Sequence, residues 1–262
     1  MIKMLDDELS QRIKSDFDTA SRRIIFLDYD GTLVPFASCP DAALPGRDLI
    51  HILEELSSND QNTIVIISGR DRKFLDNVFG NMNITLVAEH GFFIRRPEMS
   101  WRAELLIENH WKTRAWEVLS RFCELFTGSF VEEKETALAW HYRNCSNQPT
   151  SVLIVSLKLL LEQFTEGFNT EILEGNKVVE VREKFITKGS AACELLQGDT
   201  YNFILAIGDD ITDEDLFRAI PSAAYSIKVG SGSTHAKYFC SSQENVAGLL
   251  TLLLEQPSTE KK

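Results

Sequence analysis

Two carboxylates stand two residues apart in Asp28-Tyr29-Asp30-Gly31-Thr32, directly after the apolar run Arg23 to Leu27. At a strand end such a pair can share one pocket, one carboxylate on a metal and the other moving a proton, while Gly31 permits a sharp turn beside a ligand. An acidic turn that merely ends a strand reads the same way. Ser68-Gly69-Arg70 follows Thr63 to Ile67. A hydroxyl and unpaired amides at the start of the next helix bind an anion, though Ser-Gly is also an ordinary helix entry. Lys188, in Thr187-Lys188-Gly189-Ser190, opens a segment carrying Ala191, Ala192, Leu195 and Leu196. An ammonium there can neutralise a phosphoryl group; alone it is a solvated charge.

The densest constellation is Gly208-Asp209-Asp210-Ile211-Thr212-Asp213-Glu214-Asp215, with five acidic residues in seven positions after Phe203 to Ile207. Such carboxylates repel one another unless a cation or protons offset them, so an oxygen-loving metal is expected. Magnesium suits the donor set better than zinc, because no Cys or His cluster accompanies it. Glu214 and Asp215 are assigned instead to the first turn of a following helix.

The elements that must position these groups alternate. The runs at Arg23 to Leu27, Thr63 to Ile67, Thr85 to Ala88 and Phe203 to Ile207 read as buried parallel strands, and stretches such as Leu49 to Leu56 read as amphipathic helices. The fold class is therefore α/β, a doubly wound parallel sheet whose ligands bind beyond the carboxyl ends of its strands. The middle of the chain breaks the rhythm. A helical stretch from about Ile107 to Phe126 precedes strands at Phe130 to Lys134 and Ala137 to Tyr142, a helix at Val152 to Phe164, and a hairpin in which Gly175-Asn176 separates Glu171 to Leu173 from Lys177 to Val181. This ββαββ pattern predicts a smaller α+β lobe at 106–181 inserted into a core of 1–105 and 182–262. Leu5 to Phe17 is helix-like, and the tail after Gln256 is expected to be disordered.

Composition narrows the partners. A net charge of -12 gives little long-range attraction for nucleic acid or an anionic membrane, so an anionic substrate must be captured by local charge. Five scattered cysteines without CxxC spacing read as free thiols, mostly buried, in a reducing compartment, and with no leader or membrane span visible the cytoplasm is the expected location.

The four motifs, in this order, resemble those of the haloacid dehalogenase superfamily. Nearly the whole chain resembles its trehalose-6-phosphate phosphatase family, through DYDGTLVPF (Asp28 to Phe36), SGR (Ser68 to Arg70), AEHG (Ala88 to Gly91), E-x-K followed by WHYR (Glu132 to Arg143), VEVR (Val179 to Arg182) and DDITDEDLF (Asp209 to Phe217). The resemblance implies a phosphatase in which Asp28 attacks phosphorus and Asp30 moves the protons. Magnesium would be held by Asp28, the Asp30 carbonyl and Asp209, with Asp213 assisting directly or through water; Ser68 and Lys188 would hold the phosphoryl oxygens, and Gly69 and Arg70 would bind substrate. It also implies that Glu132, Lys134 and Glu180 of the inserted lobe bind sugar hydroxyls; His141 and Arg143 fit that role and a solvated sheet face equally well. Two lobes imply closure over the substrate. The implied substrate is trehalose 6-phosphate, in trehalose biosynthesis, with a trehalose-phosphate synthase as candidate partner. Sucrose phosphate, mannosyl-phosphoglycerate and an inactive regulatory domain are the competing readings; a receiver-type signalling domain is too short and lacks the insert. The family commonly has Pro-x-Gly before the lysine motif, where this chain has Glu183-Lys184-Phe185-Ile186.

Overall fold

A computed structural model describes residues 2–37, 42–103 and 110–256. The chain forms two compact units, Met1–Arg102 with Thr187–Lys262, and Ala103–Ile186. The larger unit begins with β1 (Lys3–Met4), α1 (Asp7–Thr19), β2 (Arg23–Leu27), α2 (Arg47–Ser58), β3 (Asn62–Ile67), α3 (Arg72–Phe79), β4 (Thr85–Ala88), a single 3-10 turn at Glu89–Gly91, and β5 (Phe93–Arg95). After β6 (Arg102–Ala103) come the elements of the smaller unit: α4 (His110–Leu125), β7 (Phe130–Glu133), β8 (Ala137–His141), α5 (Ser151–Phe164), β9 (Thr170–Gly175) and β10 (Val178–Glu183). The larger unit then resumes with α6 (Lys188–Leu196), β11 (Phe203–Gly208), α7 (Ile211–Ala219), β12 (Tyr225–Val229), β13 (Tyr238–Cys240) and α8 (Gln243–Leu254).

Among the described residues the larger unit carries one sheet in the order β1-β13-β12-β11-β2-β3-β4-β5-β6. The ladders from β1 to β4 are parallel, and β5 is antiparallel to β4. Every residue of β2 is buried, as a central parallel strand covered on both faces requires. Ile24, Phe26, Val65, Ile67 and Ala206 pack with Ala191, Ala192 and Leu195 of α6 and with Leu216 and Phe217 of α7. The chain winds outward from β2 in both directions, so the strand order reverses there. Register sets Leu27 opposite both Ile207 and Ile66, and the loops after β2, β11 and β3 therefore leave the sheet side by side. The strand at β12 was not expected, because Ser226 and Lys228 interrupt its apolar run; both are buried.

The smaller unit has an antiparallel sheet ordered β7-β8-β10-β9. Leu138, Trp140, Val179 and Val181 face α4 and α5 and join Trp111, Leu119, Phe122, Leu157 and Leu161 in its core. Glu132, Ala139 and Glu180 lie in register across β7, β8 and β10 on the alternate face, beside the row formed by Phe130, His141 and Val178. The hairpin loop is Asn176-Lys177, with Lys177 at φ 66°, rather than Gly175-Asn176, because β9 runs on through Gly175. The unit ends at Ile186 and not at 181: β10 continues to Glu183, and the Lys184 amide donates to the Asn169 carbonyl at 3.0 Å. The expected start at 106, Cys39 and the tail beyond Gln256 lie outside the described residues.

No described helix is long and apolar enough to cross a membrane. The four described cysteines are free thiols; Cys145 and Cys240 are buried, whereas Cys193 is exposed, contrary to the expectation of burial.

Candidate active site

Asp28 is the first residue beyond β2, and its amide donates to the Ile207 carbonyl at 3.0 Å, which ties it to the neighbouring strand. Its side chain is buried. Oδ1 accepts from Lys188 Nζ at 2.5 Å, while Oδ2 has no hydrogen-bond partner. Lys188, the first residue of α6, is buried too, and its ammonium also donates to Asp213 Oδ1 at 2.7 Å. Thr187 caps α6 by accepting from the Ser190 amide, which fixes where the lysine enters the site.

Asp209, Asp28 and Asp213 bring carboxylate oxygens within 4.8 Å of one another. Asp213 is fully buried, and its Oδ2 accepts from the amides of Asp209 and Asp210, both at 3.0 Å, so it braces the loop that presents Asp209. Asp210 is the N-cap of α7 and accepts from the Ile211 amide at 2.6 Å. Gly31, at φ 87°, passes so close to Asp209 that a Cβ would run into its carboxylate.

Electrostatics follow from this crowding. Burial, then the charges of Asp28 and Asp213, push Asp209 up to about 9. Burial likewise raises Asp28 to about 7, against the opposing pull of Lys188. Burial disfavours the Lys188 ammonium, but Asp213 and Asp28 outweigh it and hold its pKa above the ordinary lysine value. The donor set tests whether an ion fits here. A buried carboxylate oxygen without a partner, and a carboxylate pair that one lysine leaves short of neutral, match a hard divalent cation with oxygen ligands.

Asp30 stands apart from this cluster. Arg70 grips it with two bonds, Nε to Oδ2 at 2.7 Å and Nη2 to Oδ1 at 2.5 Å, and the guanidinium lies 4.3 Å from the Phe74 ring centroid. Arg70, expected to bind substrate, is thus on a neighbouring carboxylate in this structure. Ser68 Oγ accepts from the Arg70 amide at 3.1 Å. The Ser68–Arg70 loop stops short of the helix: α3 starts at Arg72, and Asp71 already caps it by accepting from the Phe74 amide. The residues expected at a helix terminus therefore lie in a loop ahead of it.

Glu214 stands in the first turn of α7, as expected, but as a buried carboxylate with partners outside the helix: it accepts from the His235 amide at 2.6 Å and from His235 Nδ1 at 3.1 Å, with Lys228 Nζ 3.9 Å away. Burial would raise it; the bonds from His235 and Thr234 and the Lys228 charge win, and its pKa falls below the usual range. Lys228 also donates to the Asp209 carbonyl at 2.7 Å, a support invisible in the local sequence because it comes from β12. Asp215 pairs with Arg218 at 3.1 Å.

In the smaller unit the expected polar residues meet on one sheet face. His141 Nε2 and Glu132 Oε2 are 2.8 Å apart, and Lys134 Nζ donates to Glu180 Oε2 at 3.0 Å. Phe130 stacks on the His141 ring at 4.8 Å. Burial works to raise Glu132, but His141 and Lys134 outweigh it and hold the carboxyl low. Arg143 lies past the end of β8 and donates to the Asn176 carbonyl at 2.8 Å. Ala137 and Ala139 on this face are the reason the strand's alternation could not be read: they are as apolar as the residues facing the helices.

Comparison with known proteins gives consistent results. The chain is 41% identical over 248 residues to the "Bifunctional trehalose-6-phosphate synthase/phosphatase" of Thermoproteus tenax, covering 94% of this chain and 34% of that protein. It spans about a third of the length of the curated relatives it matches. Among solved structures, the C-terminal domain of C. albicans trehalose-6-phosphate phosphatase superposes with a TM-score of 0.89 at 30% identity, over 97% of this chain and 98% of that one. A haloacid dehalogenase-like hydrolase from B. subtilis, at 14% identity and a TM-score of 0.59 over 87% of this chain and 98% of that one, shares the fold. The trehalose-phosphatase family model matches residues 26–251, spanning both units and every motif loop, and the chain belongs to that family.

Proposed function

We propose that the chain is a magnesium-dependent phosphatase that hydrolyses trehalose 6-phosphate to trehalose and phosphate through an aspartyl phosphate on Asp28. The observation that carries this reading is Asp28 itself: buried, anchored through one oxygen to Lys188, with its second oxygen uncommitted beside Asp209. That oxygen attacks phosphorus as the bond from phosphorus to the sugar oxygen breaks, and Asp30 delivers a proton to the departing alkoxide. Water then attacks the aspartyl phosphate, Asp30 takes its proton, and Asp28 is released with inorganic phosphate. Arg70 holds Asp30 by two bonds, and one of them has to be released for Asp30 to carry the proton it delivers.

Asp28, the Asp30 carbonyl and Asp209 would hold the ion, with Asp213 behind them. Bound there, magnesium supplies charge neutralisation for the phosphoryl group and its attacking carboxylate. Ser68 and Lys188 stabilise the phosphoryl oxygens, and the second unit selects the sugar, with Glu132, Lys134 and Glu180 binding hydroxyls through charge-assisted hydrogen bonds. Such an enzyme completes trehalose biosynthesis after a trehalose-phosphate synthase, which is the partner this reading names.

The test is to quench turnover of radiolabelled trehalose 6-phosphate in acid and digest the protein. Label on the peptide containing Asp28, formed only with magnesium and discharged by hydroxylamine, is expected. Rapid phosphate release with no label on that peptide would overturn the mechanism.

A further inference from the structure

Three consecutive residues between β4 and β5 have positive φ: Glu89 at 46°, His90 at 58° and Gly91 at 127°. Left-handed backbone is disfavoured for residues with a side chain, and a run of it persists only where surrounding structure imposes it. Here the surroundings are the two elements that carry phosphate-binding groups. On one side the Glu89 amide donates to the Arg70 carbonyl and the His90 amide to the Ser68 carbonyl, both at 2.9 Å. The His90 ring edge lies against Gly69, so that a Cβ on residue 69 would sit 2.5 Å from Nε2. On the other side Gly91 abuts the N-terminus of α6: a Cβ on it would lie 2.6 Å from the Thr187 carbonyl and 3.2 Å from Ala191 Cβ. Thr187 is the cap that places Lys188.

We propose that the left-handed turn Glu89–Gly91 is a spacer that sets the Ser68–Arg70 loop and Lys188 at their working separation, with His90 as the positioning residue on the loop side. The inference rests on the phosphatase reading above. Both flanking elements carry groups that this reading places on the phosphoryl group, and neither carries a sugar-binding residue; Lys188 also contacts Asp28 and Asp213. A lesion in the spacer therefore harms all phosphomonoesters alike.

His90→Asn and His90→Gly both accept the left-handed backbone, which protects folding, and both remove the ring. In steady-state assays each is expected to lower kcat/KM about tenfold or more, equally on trehalose 6-phosphate and p-nitrophenyl phosphate. Inhibition by inorganic phosphate should weaken. Gly69→Ala should cause a similar loss through collision with the ring, and little further loss when combined with His90→Gly, because the ring is then gone. Wild-type kcat/KM in both His90 variants, or additive losses in the double variant, would each overturn the spacer. If the wild-type chain releases no phosphate from either ester, the phosphatase reading fails by itself. Calorimetric binding of inorganic phosphate then still decides the spacer: weaker binding in His90→Gly supports it, and equal binding overturns it.

Discussion

Lys188 is a single cation among three carboxylates, and that imbalance governs how the core site titrates. Asp209 is pushed up to about 9 and Asp28 to about 7 from an ordinary 3.8, so both bind a proton more tightly folded than unfolded. The stability they contribute is complete below about pH 4 and is lost as pH rises through about 7 to 9. The melting temperature in chelator should therefore fall across that window, and stabilisation by magnesium should grow over the same range as the ion replaces protons. Thermal unfolding at fixed magnesium from about pH 5 to 9 checks this; a magnesium increment that shrinks with pH would contradict it. Asp28→Asn should lower phosphate release by at least about a thousandfold while retaining the folded circular-dichroism spectrum; near-normal turnover would contradict the nucleophile assignment. At this scale the sequence was legible where chemistry and spacing coincide, as at Asp28 and Lys188. It was illegible where a partner comes from afar. Nothing near Glu214 shows that His235 and Lys228 bury it, and Arg70 gave no sign that it would grip Asp30 across forty positions.

Among the elements, β2 and β4 match the expected strands to the residue, because both are fully buried, nearly all-apolar runs that end where the acidic loop or the left-handed turn begins. β12 escaped notice through its buried Ser226 and Lys228, and the sheet face in the smaller unit stayed ambiguous until register aligned Ala139 with Glu132 and Glu180. That face predicts a split between substrates. Glu180→Ala removes one charge-assisted bonding group, worth about 1.5–3 kcal/mol, and should cut kcat/KM for trehalose 6-phosphate about 10- to 100-fold while changing p-nitrophenyl phosphate hydrolysis less than about threefold. Equal losses would remove the sugar-binding role. Trp140, fully buried among Phe122, Phe126 and Tyr142, anchors the sheet on its helices. Trp140→Ala should destabilise the smaller unit by about 3–5 kcal/mol. Hydrogen exchange should show the loss concentrated in α4, α5 and β7 to β10, with β2, β3 and β11 retaining protection; uniform loss across the chain would contradict independent cores.

For the whole molecule, the division of labour between two units is the point on which the functional account turns. The larger unit carries groups that fit phosphate and an ion; the smaller carries paired carboxylates and a lysine suited to a polyol. With a net charge of -12, the proposed function leaves capture of an anionic substrate to local cations and the ion, not to a long-range field. The most direct measurement is phosphate release with saturating magnesium from trehalose 6-phosphate, sucrose phosphate, mannosyl-phosphoglycerate and glucose 6-phosphate, each repeated in chelator. The expected result is a kcat/KM for trehalose 6-phosphate at least about tenfold above the others, abolished by chelation. Preference for another of these esters, or turnover indifferent to magnesium, would contradict it.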